Sequence, residues 1–172
     1  MSKRLLVVID MQEDFVNGSL GTPEAKAVLK KVKTKVNHAK KEEGTDVVFT
    51  RDTHSKNYLD TQEGKKLPVE HCIRYTSGWE IEKSLRDPAA MVFDKDTFGS
   101  LDLAHFIIGG MYDEVELVGV CTDICVVSNA LLIKAYMPEL PIKVDSSCCA
   151  GTTPENHQKA LDVMKQCQIE II

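Results

Sequence analysis

Residues 114–136, EVELVGVCTDICVVSNALLIKAY, constrain this chain more than any other stretch. Val115, Leu117 and Val118 form a short apolar run that stops at Gly119, and from Thr122 onward Val126, Ala130, Ile133 and Tyr136 recur at helical spacing. The pattern predicts a strand that turns sharply into a helix. Thr122 suits the N-cap. Cys125 would then sit in the first helical turn, where unpaired backbone N–H groups and the helix dipole favour a thiolate. Two readings of Cys125 compete on this stretch alone: a small buried packing residue, the commoner role of a cysteine in an apolar segment, and a nucleophile. The rest of the chain decides between them.

A length of 172 residues suits one domain, spanning 1–172, with a sizeable core. The chain is 43% hydrophobic and 27% charged, an ordinary globular balance that argues against disorder. A formal charge of −5 gives no electrostatic footprint for nucleic acid or an anionic membrane. The lysines between 26 and 41 alternate with Val28, Val32, Val36 and Ala39, which reads as the solvated face of an amphipathic helix. No apolar run reaches the length of a bilayer span, and MSKRLLVVID passes directly into a strand pattern without a signal-peptide cleavage site, so a cytoplasmic protein is expected. The six cysteines, at 72, 121, 125, 148, 149 and 167, are then expected as free thiols; the spacing of Cys121 and Cys125 is not that of a redox CxxC.

Taken in order, strand and helix patterns alternate. Residues 4–9 (RLLVVI) form a continuous apolar run ending in Asp10, which predicts a strand buried on both faces. A loop with Gly18, Gly21 and Pro23 leads into a helix expected over 24–43 and stopped by Gly44. Residues 46–50 (DVVFT) predict the second strand, followed by about thirty residues of little periodicity that hold His54, His71 and several acids. A short helix is expected over 81–86, a third strand over 89–93, a helix over 101–108, then the opening stretch. A fifth strand over 141–144, a helix over 153–166 and a terminal strand over 169–172 complete the pattern. Such alternation predicts an α/β fold, a doubly wound six-stranded parallel sheet with helices on both faces. Ligands of such sheets bind beyond the carboxyl ends of the strands, where strand order reverses. At those ends stand Asp10, then Asp52 and His54, then Lys95, then Cys121 and Cys125.

These residues lie in motifs that resemble those of the isochorismatase-like cysteine hydrolases. LLVVIDMQEDFV, VVFTRDTH, the pair His71 and Cys72, KDTFGS and GVCTDICV follow one another in the family's order and span nearly the whole chain. The pairing of DTH with a later HC is similar to the nicotinamidase/pyrazinamidase branch. The resemblance implies a six-stranded parallel sheet and a triad of Asp10 as general base, Lys95, and Cys125 as nucleophile. It also implies a cis peptide between Val120 and Cys121, an oxyanion hole from the backbone N–H groups of Cys121 and Cys125, and Phe15 in the substrate pocket. The implied activity is hydrolysis of a small amide, nicotinamide to nicotinate and ammonia, as in NAD salvage. The same triad acting on another small amide or carbamoyl compound is the alternative, and a catalytically idle metal-binding or thiol redox module is the alternative of a different class. Family members are often dimers or tetramers, so a homo-oligomer is an expectation of the same kind.

A metal site is expected beside the triad. Asp52 and His54 are two apart at a strand end and can point the same way, and His71 can join them from the loop. A carboxylate with two imidazoles suits Zn²⁺, Fe²⁺ or Mn²⁺, and in the related branch these positions match the metal ligands, Zn²⁺ being the leading choice. Glu63 is a candidate fourth ligand, with a solvated loop acid as the alternative reading. The chain also departs from the branch. Many nicotinamidases carry Trp-Pro just before the HC motif, where this chain has Leu67, Pro68, Val69 and Glu70. Trp79 either replaces that aromatic wall or anchors the core, the commoner role of a lone large aromatic. Cys121 stands where relatives commonly have a small residue, and a second thiol beside the nucleophile raises a redox switch as a further expectation.

Overall fold

The computed structural model describes residues 2–172. Six strands form one parallel sheet: β1 (Arg4–Ile9), β2 (Thr45–Asp52), β3 (Met91–Lys95), β4 (Glu114–Val120), β5 (Ile142–Ala150) and β6 (Glu170–Ile171). Their order across the sheet is β3-β2-β1-β4-β5-β6, every pairing parallel, as the alternating pattern predicts. The chain winds outward from β1 through β2 to β3, then returns to β4 on the other side of β1. Strand order therefore reverses between β1 and β4, and the crevice for a ligand opens there.

Alternation along β1 explains the layers. Leu5, Val7 and Ile9 face a core built with Leu117, Leu103, Ile107, Ile133 and Met164, whereas Leu6 and Val8 face one built with Val32, Val36, Phe49 and Val118. The first face is covered by α4 (Leu101–Gly110), α5 (Val127–Tyr136) and α6 (Pro154–Gln166), the second by the single-turn helix α1 (Glu13–Val16) and by α2 (Pro23–Ala39). Thr22, Ser100 and Thr153 cap α2, α4 and α6 by accepting N–H groups of the first turns.

Several boundaries differ from the sequence reading. Helix α2 stops at Ala39 rather than 43, because Ala39 is its last buried residue and Lys40 to Glu43 have no apolar side chain to bury. Gly44, at φ +79°, then reverses the chain. The expected helix over 81–86 is absent: Ile81 forms an antiparallel bridge with Gln12, and the N–H of Glu82 donates to the Met11 carbonyl. Strand β3 begins at Met91 because Asp87 holds Ala89 and Ala90 in a turn, and it ends at Lys95. Strand β5 continues to Ala150, past the polar residues Asp145, Ser146 and Ser147 that suggested its end; Asp145 is neutralised by Lys35 of α2. The long segment after β2 holds the single-turn helix α3 (Gln62–Lys66) and 3₁₀ turns at Tyr58–Asp60 and Ser77–Trp79, too short to show a period.

Thr122 is not the N-cap of a regular helix. Residues Thr122–Val126 form a π-turn between β4 and α5, so Cys125 lies in that wider turn and Cys121 takes the cap position. Thr122 is buried, with Oγ1 2.7 Å from His157 Nδ1 of α6. Among the described residues no helix is long and apolar enough to cross a membrane.

Candidate active site

The switch point brings three strand ends together. Asp10, fully buried beyond β1, adopts φ +47°, a region in which aspartate is tolerated better than most side chains. Thr50 of β2 holds it from both sides: the Asp10 N–H donates to Thr50 Oγ1 at 3.1 Å, and that hydroxyl donates to Asp10 Oδ1 at 2.6 Å. Lys95 lies opposite Asp52 in the β2–β3 register, so its ammonium enters the same space. Its Nζ stands 2.6 Å from Asp10 Oδ2, 3.5 Å from Asp52 Oδ1 and 3.5 Å from Cys125 Sγ, and it donates to the Thr97 carbonyl at 3.2 Å. Asp10, Lys95 and Cys125 are thus one contact network.

Its electrostatics correct one expectation. Burial pushes the Cys125 thiol well above its ordinary value and the Asp10 carboxylate adds to the rise; Lys95 acts the other way and is outweighed. Burial at this turn therefore works against the thiolate, and a neighbouring base is of use to the sulfur. Burial, opposed by Lys95 and reinforced by Asp52, also raises the Asp10 carboxyl. Burial disfavours charge on Lys95, but Asp10, Cys125 and Asp52 outweigh it and keep the ammonium protonated. An acid and a thiol, both raised beside a fixed cation, share protons readily.

Beside this network lie Asp52, His54, Glu63 and His71, whose donor atoms fall within 4.8 Å of one another. Asp52 Oδ2 is 2.9 Å from His54 Nε2 and 3.5 Å from His71 Nε2, and Glu63 Oε1 is 3.7 Å from each ring nitrogen. Burial opposes ionisation of Asp52, but the hydrogen bond with His54, the nearby His71 ring and the charge of Lys95 hold its carboxyl well below the usual range. His71 Nδ1 donates to the Val69 carbonyl at 2.8 Å; a carbonyl only accepts, so this bond fixes the tautomer and turns Nε2 toward the cluster. Two imidazoles and two carboxylates fit a divalent cation of the Zn²⁺, Fe²⁺ or Mn²⁺ type. Tyr58, fully buried, packs its ring 4.6 Å from His54 and 4.9 Å from His71.

A cavity of about 800 Å³ opens onto both groups. Phe15, Leu67, Phe98 and Ile124 supply its apolar walls, with Cys121 and Cys125 at its floor. Phe15 lies 5.6 Å from the His71 ring. Leu67 enters the wall, whereas Trp79 does not: it is buried, donates from Nε1 to Thr53 at 2.8 Å and carries the Arg51 guanidinium 3.6 Å above its ring. The Val120–Cys121 peptide is cis. Both Cys121 and Cys125 are free thiols.

Sequence reading missed Thr50, Gln12 and Tyr58. A polar Thr50 inside an apolar strand was the available signal, since a buried polar group needs a partner. Gln12 Oε1 accepts the Asp52 N–H at 2.7 Å while Nε2 donates to the carbonyls of Asp52 and Trp79, tying the end of β2 to the Trp79 loop. Nothing local marks Tyr58.

The fold is that of an isochorismatase-like hydrolase, and the chain belongs to the isochorismatase family, whose domain matches residues 4–172. It is 29% identical to a pyrazinamidase of Pyrococcus horikoshii solved in complex with zinc, with a TM-score of 0.86 and coverage of 99% of this chain and 98% of that one. A pyrazinamidase/nicotinamidase from Streptococcus mutans is 28% identical at a TM-score of 0.86, covering 99% and 100%. The nicotinamidase/pyrazinamidase of Mycobacterium tuberculosis is 26% identical over 98% of both chains. By this kinship the chain is an amide hydrolase.

Proposed function

We propose that this protein hydrolyses nicotinamide to nicotinate and ammonia through a thioester on Cys125. The observation that carries the reading is the 2.6 Å contact of Lys95 with Asp10 and the 3.5 Å contact of the same ammonium with Cys125, at the floor of an apolar cavity. Asp10 takes the Cys125 proton, and the sulfur attacks the carboxamide carbon. Backbone N–H groups of Cys121 and Cys125 receive the oxyanion, a contribution worth about 10²–10³ in rate per donor. Asp10 then protonates the departing amine, ammonia leaves, and water activated by Asp10 cleaves the thioester. Phe15 packs against the substrate ring. Asp52, His54, His71 and Glu63 would hold the divalent cation, Zn²⁺ first; when bound it supplies a Lewis acid for the pyridine nitrogen.

A second reading keeps the chemistry and changes the substrate. Leu67 stands in the wall where many nicotinamidases have an aromatic, so the surface offered to a ring substrate differs. Ammonia release from nicotinamide, with and without a chelator, tests the proposal. Turnover that falls on chelation and returns with Zn²⁺ supports it. Reactive Cys125 without nicotinamide turnover moves the assignment to another small amide.

A further inference from the structure

Asn129 of α5 follows Cys125 by one helical turn and is fully buried among Ala130, Ile133 and Val126. Its side chain bonds only to backbone. Nδ2 donates to the carbonyl of Cys125 at 2.8 Å and to that of Phe98 at 3.0 Å, and Oδ1 accepts the Ser100 N–H at 3.0 Å. These bonds join two segments far apart in sequence, the nucleophile turn and the loop over 96–100 that follows Lys95. That loop supplies the Thr97 carbonyl that receives Lys95 Nζ, and the Phe98 side of the cavity. It lies close on α5: a Cβ built on Gly99 would stand 3.4 Å from Leu132. Asparagine is a poor helix former and its amide is costly to bury, so an apolar residue would serve α5 better if packing were its only role.

We propose that Asn129 is a positioning residue that locks the Lys95 loop to the Cys125 turn and so keeps the Lys95 ammonium against the sulfur. It acts through Lys95 and touches no substrate. The inference rests on the proposed role of Cys125 as nucleophile, but not on which amide is cleaved.

Iodoacetamide alkylation of Cys125 at pH 7, followed by peptide mass mapping, reads the lock without a substrate. Asn129→Leu removes all three bonds. In Asn129→Thr the hydroxyl can return a bond to the Cys125 carbonyl four residues back but is too short to reach Phe98. Ile133→Ala, a core truncation on the same helix, controls for general loosening. Both Asn129 variants should alkylate about tenfold more slowly, the equivalent of one pKa unit at the sulfur. Ile133→Ala should stay within about twofold of the wild type even though its Tm falls. Wild-type rates in Asn129→Leu, equal slowing in Ile133→Ala, or full recovery in Asn129→Thr would each overturn the proposal. Should Asn129→Leu fail to fold, the threonine variant carries the comparison. Should burial keep wild-type Cys125 from alkylating, turnover in Cys125→Ala tests the nucleophile reading separately. Amide exchange at Ser100 then decides the lock: faster exchange in both Asn129 variants supports it, and unchanged exchange refutes it.

Discussion

Lys95 is the residue on which the site's charge balance turns. It is the cation between two buried carboxylates, Asp10 and Asp52, with only 2% of its side chain exposed. Lys95→Met keeps the stem and removes the charge. Leaving buried carboxylates uncompensated costs about 3–5 kcal/mol, so the variant should lose most activity together with a large drop in Tm; near wild-type Tm would show that the carboxylates do not depend on this cation. Thr50→Val should act more gently. Losing the hydroxyl bond to a charged group costs about 1.5–3 kcal/mol, and kcat should fall while KM holds, because Thr50 orients Asp10 and does not line the cavity; a change confined to KM would contradict this. A charged group away from the site contributes to the acid side of stability. Burial raises the Asp145 carboxyl, but hydrogen bonds from Lys35 and Ser147 outweigh it and leave the folded pKa below 3.8. A depressed folded pKa means that the contribution is complete above the unfolded value and is lost as pH falls through the folded one. Urea midpoints should therefore hold from pH 7 to about 5 and decline below about 4, with a shallower decline in Asp145→Asn; equal declines would remove Asp145 from the account.

At the scale of elements, the contact between β1 and β4 matters most, because Asp10 and Cys125 leave the sheet there. Gly119 pairs with Ile9 at φ +118°, and a Cβ on it would fall 2.1 Å from the Ile9 carbonyl oxygen. Gly119→Ala must both strain the backbone and part the strands, at a cost of about 3 kcal/mol or more. Loss of soluble protein or of Cys125 reactivity is expected, and a stable, reactive Gly119→Ala would refute the close approach. The strands were legible because RLLVVI, DVVFT and VELVGV are short apolar runs bounded by polar or glycine residues. Their ends were less so. Asp145 to Ser147 look like a strand terminus until Lys35 supplies the missing charge, and only the tertiary fold provides that lysine. The π-turn was invisible for another reason: a five-residue turn leaves the apolar spacing of the following helix intact, so nothing in the sequence separates it from a capped α-helix.

Across the whole molecule, two charged groups share one crevice, the contact network of Asp10, Lys95 and Cys125 and the cluster of Asp52, His54, Glu63 and His71. Asp52 touches both through Lys95 and the histidines. The residues at strand ends could be read from sequence because a parallel sheet sends them to one edge. Of those that hold them in place, Thr50 left a signal as a polar residue in an apolar strand, whereas Gln12 and Tyr58 left none, since they reach the site only through the tertiary fold. The upward push of burial on the Cys125 thiol also escaped the sequence, because only the tertiary fold buries the end of β4 and sets Asp10 beside the sulfur. If the cluster holds a cation, ligand binding stabilises the folded chain by mass action, about 2.7 kcal/mol at a hundredfold excess over Kd. Chelation should lower Tm equally in the wild type and in Cys125→Ala, since the sulfur is not a ligand; a shift absent from the wild type would argue against a metal at these four residues. The thioester is tested most directly by intact mass after acid quenching during nicotinamide turnover. One nicotinoyl group should be added to the chain, mapped to the peptide bearing Cys125 and absent from Cys125→Ala. Turnover with no adduct on Cys125, together with activity retained in Cys125→Ala, would contradict it.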